Sequence, residues 1–257
     1  ANRKGKGVLK AIQRFDVFKN KVSENKQKRI FILKSDISHY FDTVDHQILL
    51  KIIKRKISDK KVIWLIRQIL NNYHTRQGKG MPLGNLTSQF FANVYLNELD
   101  QYIKHKLKVK YYIRYVDDFV ILHSSEGFLE DLKKKIEEYT YKNLSLKLHK
   151  EKTKIIPLKR GVGFLGFKIF TYHRLLKKKN KRKFLRKMRE LEVMYLKKKV
   201  SYDKLYNSLE GWLAHTKHAN TFRVRQKIIE TFEKKYNSKI STKEVNRYLK
   251  KSATKAL

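Results

Sequence analysis

Apolar residues change their spacing repeatedly along this 257-residue chain, and each change marks an element. Ile30-Phe31-Ile32-Leu33 is an unbroken apolar run and predicts a short strand ending at Asp36. From Tyr112 to Leu122, eight of eleven residues are β-branched, aromatic or leucine, which is strand composition. Asp117 and Asp118 interrupt that run at its middle, so it predicts a strand–turn–strand hairpin with both acids at the bend. Further short strands are expected near Leu144–Leu148, Thr153–Leu158 and Phe167–Phe170.

Elsewhere the period lengthens to that of a helix. Residues from about Gln47 to Tyr73 read as two helices broken near Ser58-Asp59, the first with Ile48, Leu49, Ile52 and Ile53 behind an Asp45 cap. A long helix is expected from Asn85 to about Leu107, with Phe91, Tyr95, Leu99 and Ile103 on one stripe. Glu126 to about Lys142 repeats the pattern with Phe128, Leu132, Ile136 and Tyr139. From Lys177 the chain turns helical and basic, placing Phe184, Met188, Leu191 and Tyr195 on one face, and further helices are expected near 202–216, 221–236 and 242–251. Residues 1–28 are basic and polar; the Gly/Lys cluster from Asn2 to Gly7 reads either as a phosphate contact or as a solvated turn.

Charge narrows the class of partner. Lys and Arg number 62 against 23 Asp and Glu, a formal net charge of +39, while a 41% hydrophobic fraction suits a globular fold. Such an excess points to a polyanion. No apolar run approaches the ~18 residues of a membrane span, so nucleic acid is the expected partner and membrane is not. There is no cysteine, which excludes disulfides and thiolate metal sites. No secretory segment is evident, so the default location is cytoplasmic.

In so basic a chain, an acidic pair inside an apolar hairpin needs a reason. It reads either as a polar turn or as a seat for a divalent metal. Asp36, at the end of a strand able to lie beside the hairpin, supplies a third carboxylate. Three close carboxylates repel unless cations neutralise them, and a pair of Mg²⁺ ions is the arrangement used for in-line attack on phosphate. Two other motifs are weaker. Gly161-Val162-Gly163-Phe164-Leu165-Gly166 matches a dinucleotide fingerprint, but strand rather than helix follows it. His215 and His218 lie three apart on a predicted helix, with no third ligand in view.

The Tyr115-Val116-Asp117-Asp118 hairpin, Asp36 five residues before Phe41, and Gly80-Met81-Pro82-Leu83-Gly84-Asn85-Leu86-Thr87-Ser88-Gln89 between them resemble the palm of a reverse transcriptase. The resemblance implies an α+β right-hand polymerase: partial fingers over 1–28, an antiparallel-sheet palm over 29–172 with a helical insertion at about 47–79, and a helical thumb over 173–257. Asp36, Asp117, Asp118 and the Ile37 backbone carbonyl would hold two Mg²⁺ ions, with Mn²⁺ as a substitute. Phe41 would exclude a sugar 2′-hydroxyl, while Leu83, Gly84 and Lys152 would border the incoming dNTP; by itself Lys152 reads first as a solvated lysine, the usual case. Ser88, Gln89, Tyr115, the Phe164-Leu165-Gly166 primer grip, and Lys181, Arg182 and Arg186 of the thumb would contact template RNA, DNA primer and cDNA. Complete members carry further fingers segments upstream, and the opening at Ala1 points to a piece of a longer protein.

Two departures narrow the resemblance. Most reverse transcriptases place glutamine where Leu83 stands and Ser-Pro where Ser88-Gln89 stand. The pattern here is similar to reverse transcriptases of diversity-generating retroelements, which copy template RNA with errors opposite adenine and usually work with a small basic accessory protein. Reverse transcriptases of group II introns or retrons, and a non-catalytic RNA-binding fragment, are the alternatives.

Overall fold

A computed structural model describes residues 5–25, 27–82, 84–236 and 249. The chain divides into two compact units, Ala1–Arg160 and Gly161–Leu257.

The first unit is built on a four-stranded antiparallel sheet. Its strands are β1 (Phe31–Ser35), β2 (Tyr112–Tyr115), β3 (Asp118–His123) and β4 (Lys154–Pro157), in the order β2-β3-β1-β4. The register pairs Phe31 with His123 and Ser35 with Phe119. Central strands carry the most apolar sequences because both faces are covered: Ile32, Leu33, Phe119, Val120, Ile121 and Leu122 are all buried. Helix α5 (Leu86–Gln101) and helix α6 (Glu126–Leu144) contribute Phe91, Tyr95, Leu99, Leu132 and Ile136 to the same core. The expected long helix therefore exists, although its last turn, Tyr102–Lys106, widens into a π-helix.

Between β1 and α5 lie a short turn of helix, α2 (Tyr40–Thr43), then α3 (His46–Lys54) and α4 (Lys60–Asn71). The Asp45 carboxylate accepts hydrogen bonds from the Gln47 and Ile48 amides, and Asp59 accepts from Lys61 and Val62. Both helices thus start on a carboxylate cap, and the break at Ser58-Asp59 lies where the pattern placed it.

Two expectations need correcting. Residues 1–28 read as merely basic and polar, yet α1 (Val8–Val22) forms there and buries Ile12, Phe15, Phe18 and Val22. That stripe has helical spacing, diluted by the lysines around it. Leu144–Leu148 is not a strand: α6 continues to Leu144, Ser145 turns the chain at φ 50°, and Leu148 makes one isolated bridge to Ile37. Leu144, Leu146 and Leu148 alternate inward without a ladder, so alternation alone misled.

The second unit opens with a three-stranded antiparallel sheet, β5 (Val162–Phe164), β6 (Phe167–Ile169) and β7 (Arg174–Leu176). Helices α7 (Lys178–Leu196), α8 (Tyr202–Thr216) and α9 (Phe222–Tyr236) follow. Phe184, Met188, Leu191, Leu205, Leu209, Leu213, Ile229 and Phe232 form their common core. The helix expected near 242–251 lies outside the described residues, apart from position 249.

Burial pushes the His215 and His218 imidazoles below their ordinary pKa, with Lys217 and Arg174 adding to the effect at His218. A lowered histidine pKa favours the neutral ring in the folded state, so protonation favours unfolding. The second unit should therefore lose stability as pH falls through the ordinary histidine range near ~6.5 and hold it above. Thermal melts across that range, parent against a His215→Gln/His218→Gln variant, check this; the variant's pH dependence should be flatter.

Candidate active site

Strand pairing assembles the site. Ser35 is the last residue of β1 and faces Phe119, so Asp36 leaves the strand beside the position of Asp118. On the other side of β3, Tyr115 pairs with Asp118, leaving Val116 and Asp117 as a two-residue turn. Val116 sits at φ 58°, a conformation a β-branched residue rarely adopts. The turn is held from below. The Arg114 guanidinium donates to the Val116 carbonyl at 2.8 Å and grips Asp100 through two further bonds, one of them Nε to Oδ1 at 2.8 Å. Tyr112 also donates to Asp100, at 2.7 Å. Burial lowers the Arg114 pKa, but the bonds to Asp100 more than offset this and leave it raised. A strained, buried arginine-clamped turn is expected where side chains must be aimed rather than merely exposed.

The carboxylates carry accumulated negative charge. Burial pushes the Asp117 carboxyl above its ordinary pKa, and the Asp36 charge adds to this. Burial does the same at Asp118, where the Lys34 ammonium offsets part of the rise and the other two aspartates increase it. Lys152 Nζ lies 2.6 Å from Asp36 Oδ2, and Lys34 Nζ lies 3.1 Å from Asp118 Oδ1. Asp118 Oδ1 is buried and lacks any hydrogen bond of good geometry. Among the described residues, no three acidic or histidine side chains converge on one metal position. The donor chemistry nevertheless suits a hard divalent cation, since carboxylates that repel one another favour added positive charge.

The expected backbone ligand to the metal is the Ile37 carbonyl. The bridge from Ile37 to Leu148 is made through Ser38 N–H to Lys147 O and His149 N–H to Asp36 O, so the Ile37 carbonyl takes no part in it.

The Gly80–Asn85 loop is tied to the chain just after Asp36. Met81 N–H donates to the Phe41 carbonyl at 2.7 Å and Gly80 N–H to the Val44 carbonyl at 2.9 Å. His46 Nε2 donates to the Gly80 carbonyl at 2.7 Å, which fixes its tautomer because a carbonyl only accepts. Phe41 is half-buried, edge-on to Tyr40, whose hydroxyl donates to the Ala92 carbonyl. Gly84 lies at φ 89°, which favours glycine, and a Cβ there would meet nothing within 4 Å. Leu83 lies outside the described residues. Ser88 is buried in α5, whereas Gln89 is half-buried. Tyr115 is half-buried at the end of β2.

The remaining residues fall in the second unit. Phe164 is buried, and Leu165-Gly166 form the turn joining β5 to β6, both at positive φ (44° and 89°). That is the type I′ form that matches strand twist. The Asn180 amide and the Lys177 N–H both donate to the Gly166 carbonyl at 3.2 Å, fastening the turn to the start of α7. Lys181, Arg182 and Arg186 are exposed along α7, with Arg186 3.7 Å from Glu190.

Three supporting residues escaped the sequence reading. Lys34 lies two residues before Asp36 on the same strand face, a spacing that could have flagged it. Asp100 and Arg114 are 14 apart, and only a charged residue inside an apolar strand hinted at their pairing.

The family model described as "Reverse transcriptase (RNA-dependent DNA polymerase)" matches residues 1–169. Protein YkfC of Escherichia coli (strain K12) is 28% identical over 189 residues, covering 59% of this chain and 48% of that protein. The group II intron-encoded protein LtrA of Lactococcus lactis subsp. cremoris is 26% identical over 210 residues, covering 54% of this chain and 35% of LtrA. The chain thus spans half or less of these relatives' lengths. Among solved structures, apo telomerase from Candida tropicalis has a TM-score of 0.60 at 14% identity, over 95% of this chain and 48% of that one. Telomerase from Candida albicans, solved with a fragment of telomeric RNA, gives 0.57 at 13% identity, over 94% and 46%. These structural likenesses show an α+β fold, helices on antiparallel sheets, that resembles a telomerase reverse transcriptase core. By its family match the chain belongs to the reverse transcriptase (RNA-dependent DNA polymerase) family.

Proposed function

We propose that this chain is the palm and thumb of an RNA-directed DNA polymerase that copies template RNA into cDNA from dNTPs. The observation that carries the reading is the β1–β3 pairing, which brings Asp36 beside a strained turn presenting Asp117 and Asp118. Asp36, Asp117, Asp118 and the Ile37 carbonyl would hold two Mg²⁺ ions. When bound, these would activate the primer 3′-hydroxyl and neutralise charge at the triphosphate and leaving pyrophosphate. The protein's own part is alignment: the arginine-clamped turn aims the two aspartates, and Lys152 offers an ammonium beside the pyrophosphate.

Phe41, tied through its carbonyl to the Gly80–Asn85 loop, would sit under the sugar of the incoming nucleotide. Phe41→Ala should raise ribonucleotide incorporation by roughly 10- to 100-fold relative to deoxynucleotide, the usual worth of one packing contact in discrimination. Competitive single-nucleotide extension reads it directly.

The finer reading is the error-prone enzyme of a diversity-generating retroelement, supported by Leu83 and by Ser88-Gln89 in the nucleotide loop. An aliphatic Leu83 cannot hydrogen-bond the nucleotide, which leaves the nascent pair less tightly held. A small basic accessory protein belongs to that reading. A second reading, an intron-encoded lineage, is favoured by the similarity to LtrA. Mg²⁺-dependent extension of a DNA primer on defined RNA, followed by product sequencing, separates them. Errors concentrated at template adenines support the retroelement reading, and accurate copying supports the intron lineage. RNA binding without extension would leave the chain a binding fragment.

A further inference from the structure

A cleft bordered by an exposed tryptophan and several cations lies on the α3–α4 helices. Trp64 on α4 is 61% exposed, an unusual position for the largest apolar side chain. It borders a cleft of about 410 Å³ between the end of α3 and the start of α4, lined also by Lys54, Ile57, Lys60, Ile63 and Arg67. That volume lies within the range of small-ligand pockets. Lys60, Trp64 and Arg67 recur at helical spacing, so one face of α4 carries an indole between two cations. Neighbouring Arg55 pairs with Glu98 at 2.7 Å, whereas Lys54, Lys60 and Arg67 make no ion pair among the described residues.

We propose that the α3–α4 cleft binds single-stranded RNA, with one nucleobase stacked on Trp64 and flanking phosphates on Lys54, Lys60 and Arg67. An aromatic face among unpaired cations is the combination that holds unpaired bases: the indole takes any base, and the cations track the backbone. A duplex hides its base faces and could use only the cations. A protein partner would need acidic groups to match three cations around so small an apolar floor. Lys54 ends the helix whose first residue, His46, holds the nucleotide loop, so about 12 Å of helix separates the cleft from that loop. The site therefore engages a strand beyond the reacting end, and the inference holds whether or not the chain polymerises.

The test uses the chain's two tryptophans. Trp212 stacks on Phe184 in the second unit, so a Trp212→Phe chain reports from Trp64 alone. Titration with a short oligouridylate should quench Trp64 saturably, and duplex RNA of the same length should not. Lys54→Glu/Lys60→Glu/Arg67→Glu should weaken binding by about tenfold or more and lower the salt slope by ~2, as expected for three lost phosphate contacts. Trp64→Phe, which keeps a stacking face, should retain most of the affinity, and Trp64→Ala should lose about tenfold. Extension of a short pre-annealed primer-template should be unchanged in all four variants. Equal quenching by duplex, or RNA binding that leaves Trp64 fluorescence untouched, overturns the proposal. Quenching that follows protein concentration without RNA would assign the cleft to protein contact and overturn it equally.

Discussion

Asp117→Asn is expected to reduce Mg²⁺-dependent primer extension by on the order of 10³-fold or more, with the fold intact. The estimate follows from the several kcal/mol that metal-centred charge stabilisation contributes to phosphoryl transfer, at ~1.4 kcal/mol per tenfold. The substitution is isosteric and falls at a turn, so no core packing is lost. It also removes a charge that the folded state carries at a cost, because burial and Asp36 raise the Asp117 pKa. The metal-free variant should therefore melt no lower than the parent near neutral pH. Gel-resolved extension and a thermal melt, taken together, separate the two effects. Extension that survives in Asp117→Asn would sink the catalytic assignment, whatever the melt shows. Asp36→Asn and Asp118→Asn should behave alike in extension; each also frees a lysine, Lys152 or Lys34, now engaged with it.

The second large effect lies beneath the turn. Asp100→Ala should destabilise the first unit by about 3–5 kcal/mol, because it strands the Arg114 guanidinium in a buried position with its charge unpaired. Urea denaturation measures this. Removing both partners is a different experiment. Asp100→Leu/Arg114→Met should recover much of the stability, since apolar replacement of a buried pair is often neutral. It should not recover extension, because the Val116 carbonyl has lost the donor that holds the strained turn. Recovery of both would reduce the clamp to a packing feature.

These two sites differ in how visible they were from sequence. The hairpin and the β1 strand were legible because apolar runs around Asp36 and Asp117-Asp118 have strand composition and fixed ends. The Asp45 and Asp59 caps were legible for the same local reason. What stayed hidden needed distant pairing. Asp100 sits on α5 among polar neighbours, and nothing local says that it faces Arg114 on β2. Helix α1 is hard to read from sequence because four basic residues, Lys10, Arg14, Lys19 and Lys21, lie within Val8–Val22 and mask its apolar stripe. Leu144–Leu148 was misread because alternation shows which residues face inward, not whether a partner strand is there to pair with them.

The bonds from Met81 and Gly80 to the carbonyls of Phe41 and Val44 reach beyond geometry. On the proposed roles, the residue that inspects the sugar and the loop that inspects the base are parts of a single mechanical piece, pinned also by His46. Neither can drift far without carrying the other. Tolerance for the wrong sugar and tolerance for the wrong base would then be inherited as one linked trait. A lineage that relaxed its copying at the loop would have to hold Phe41 in place by other means or give up its preference for DNA.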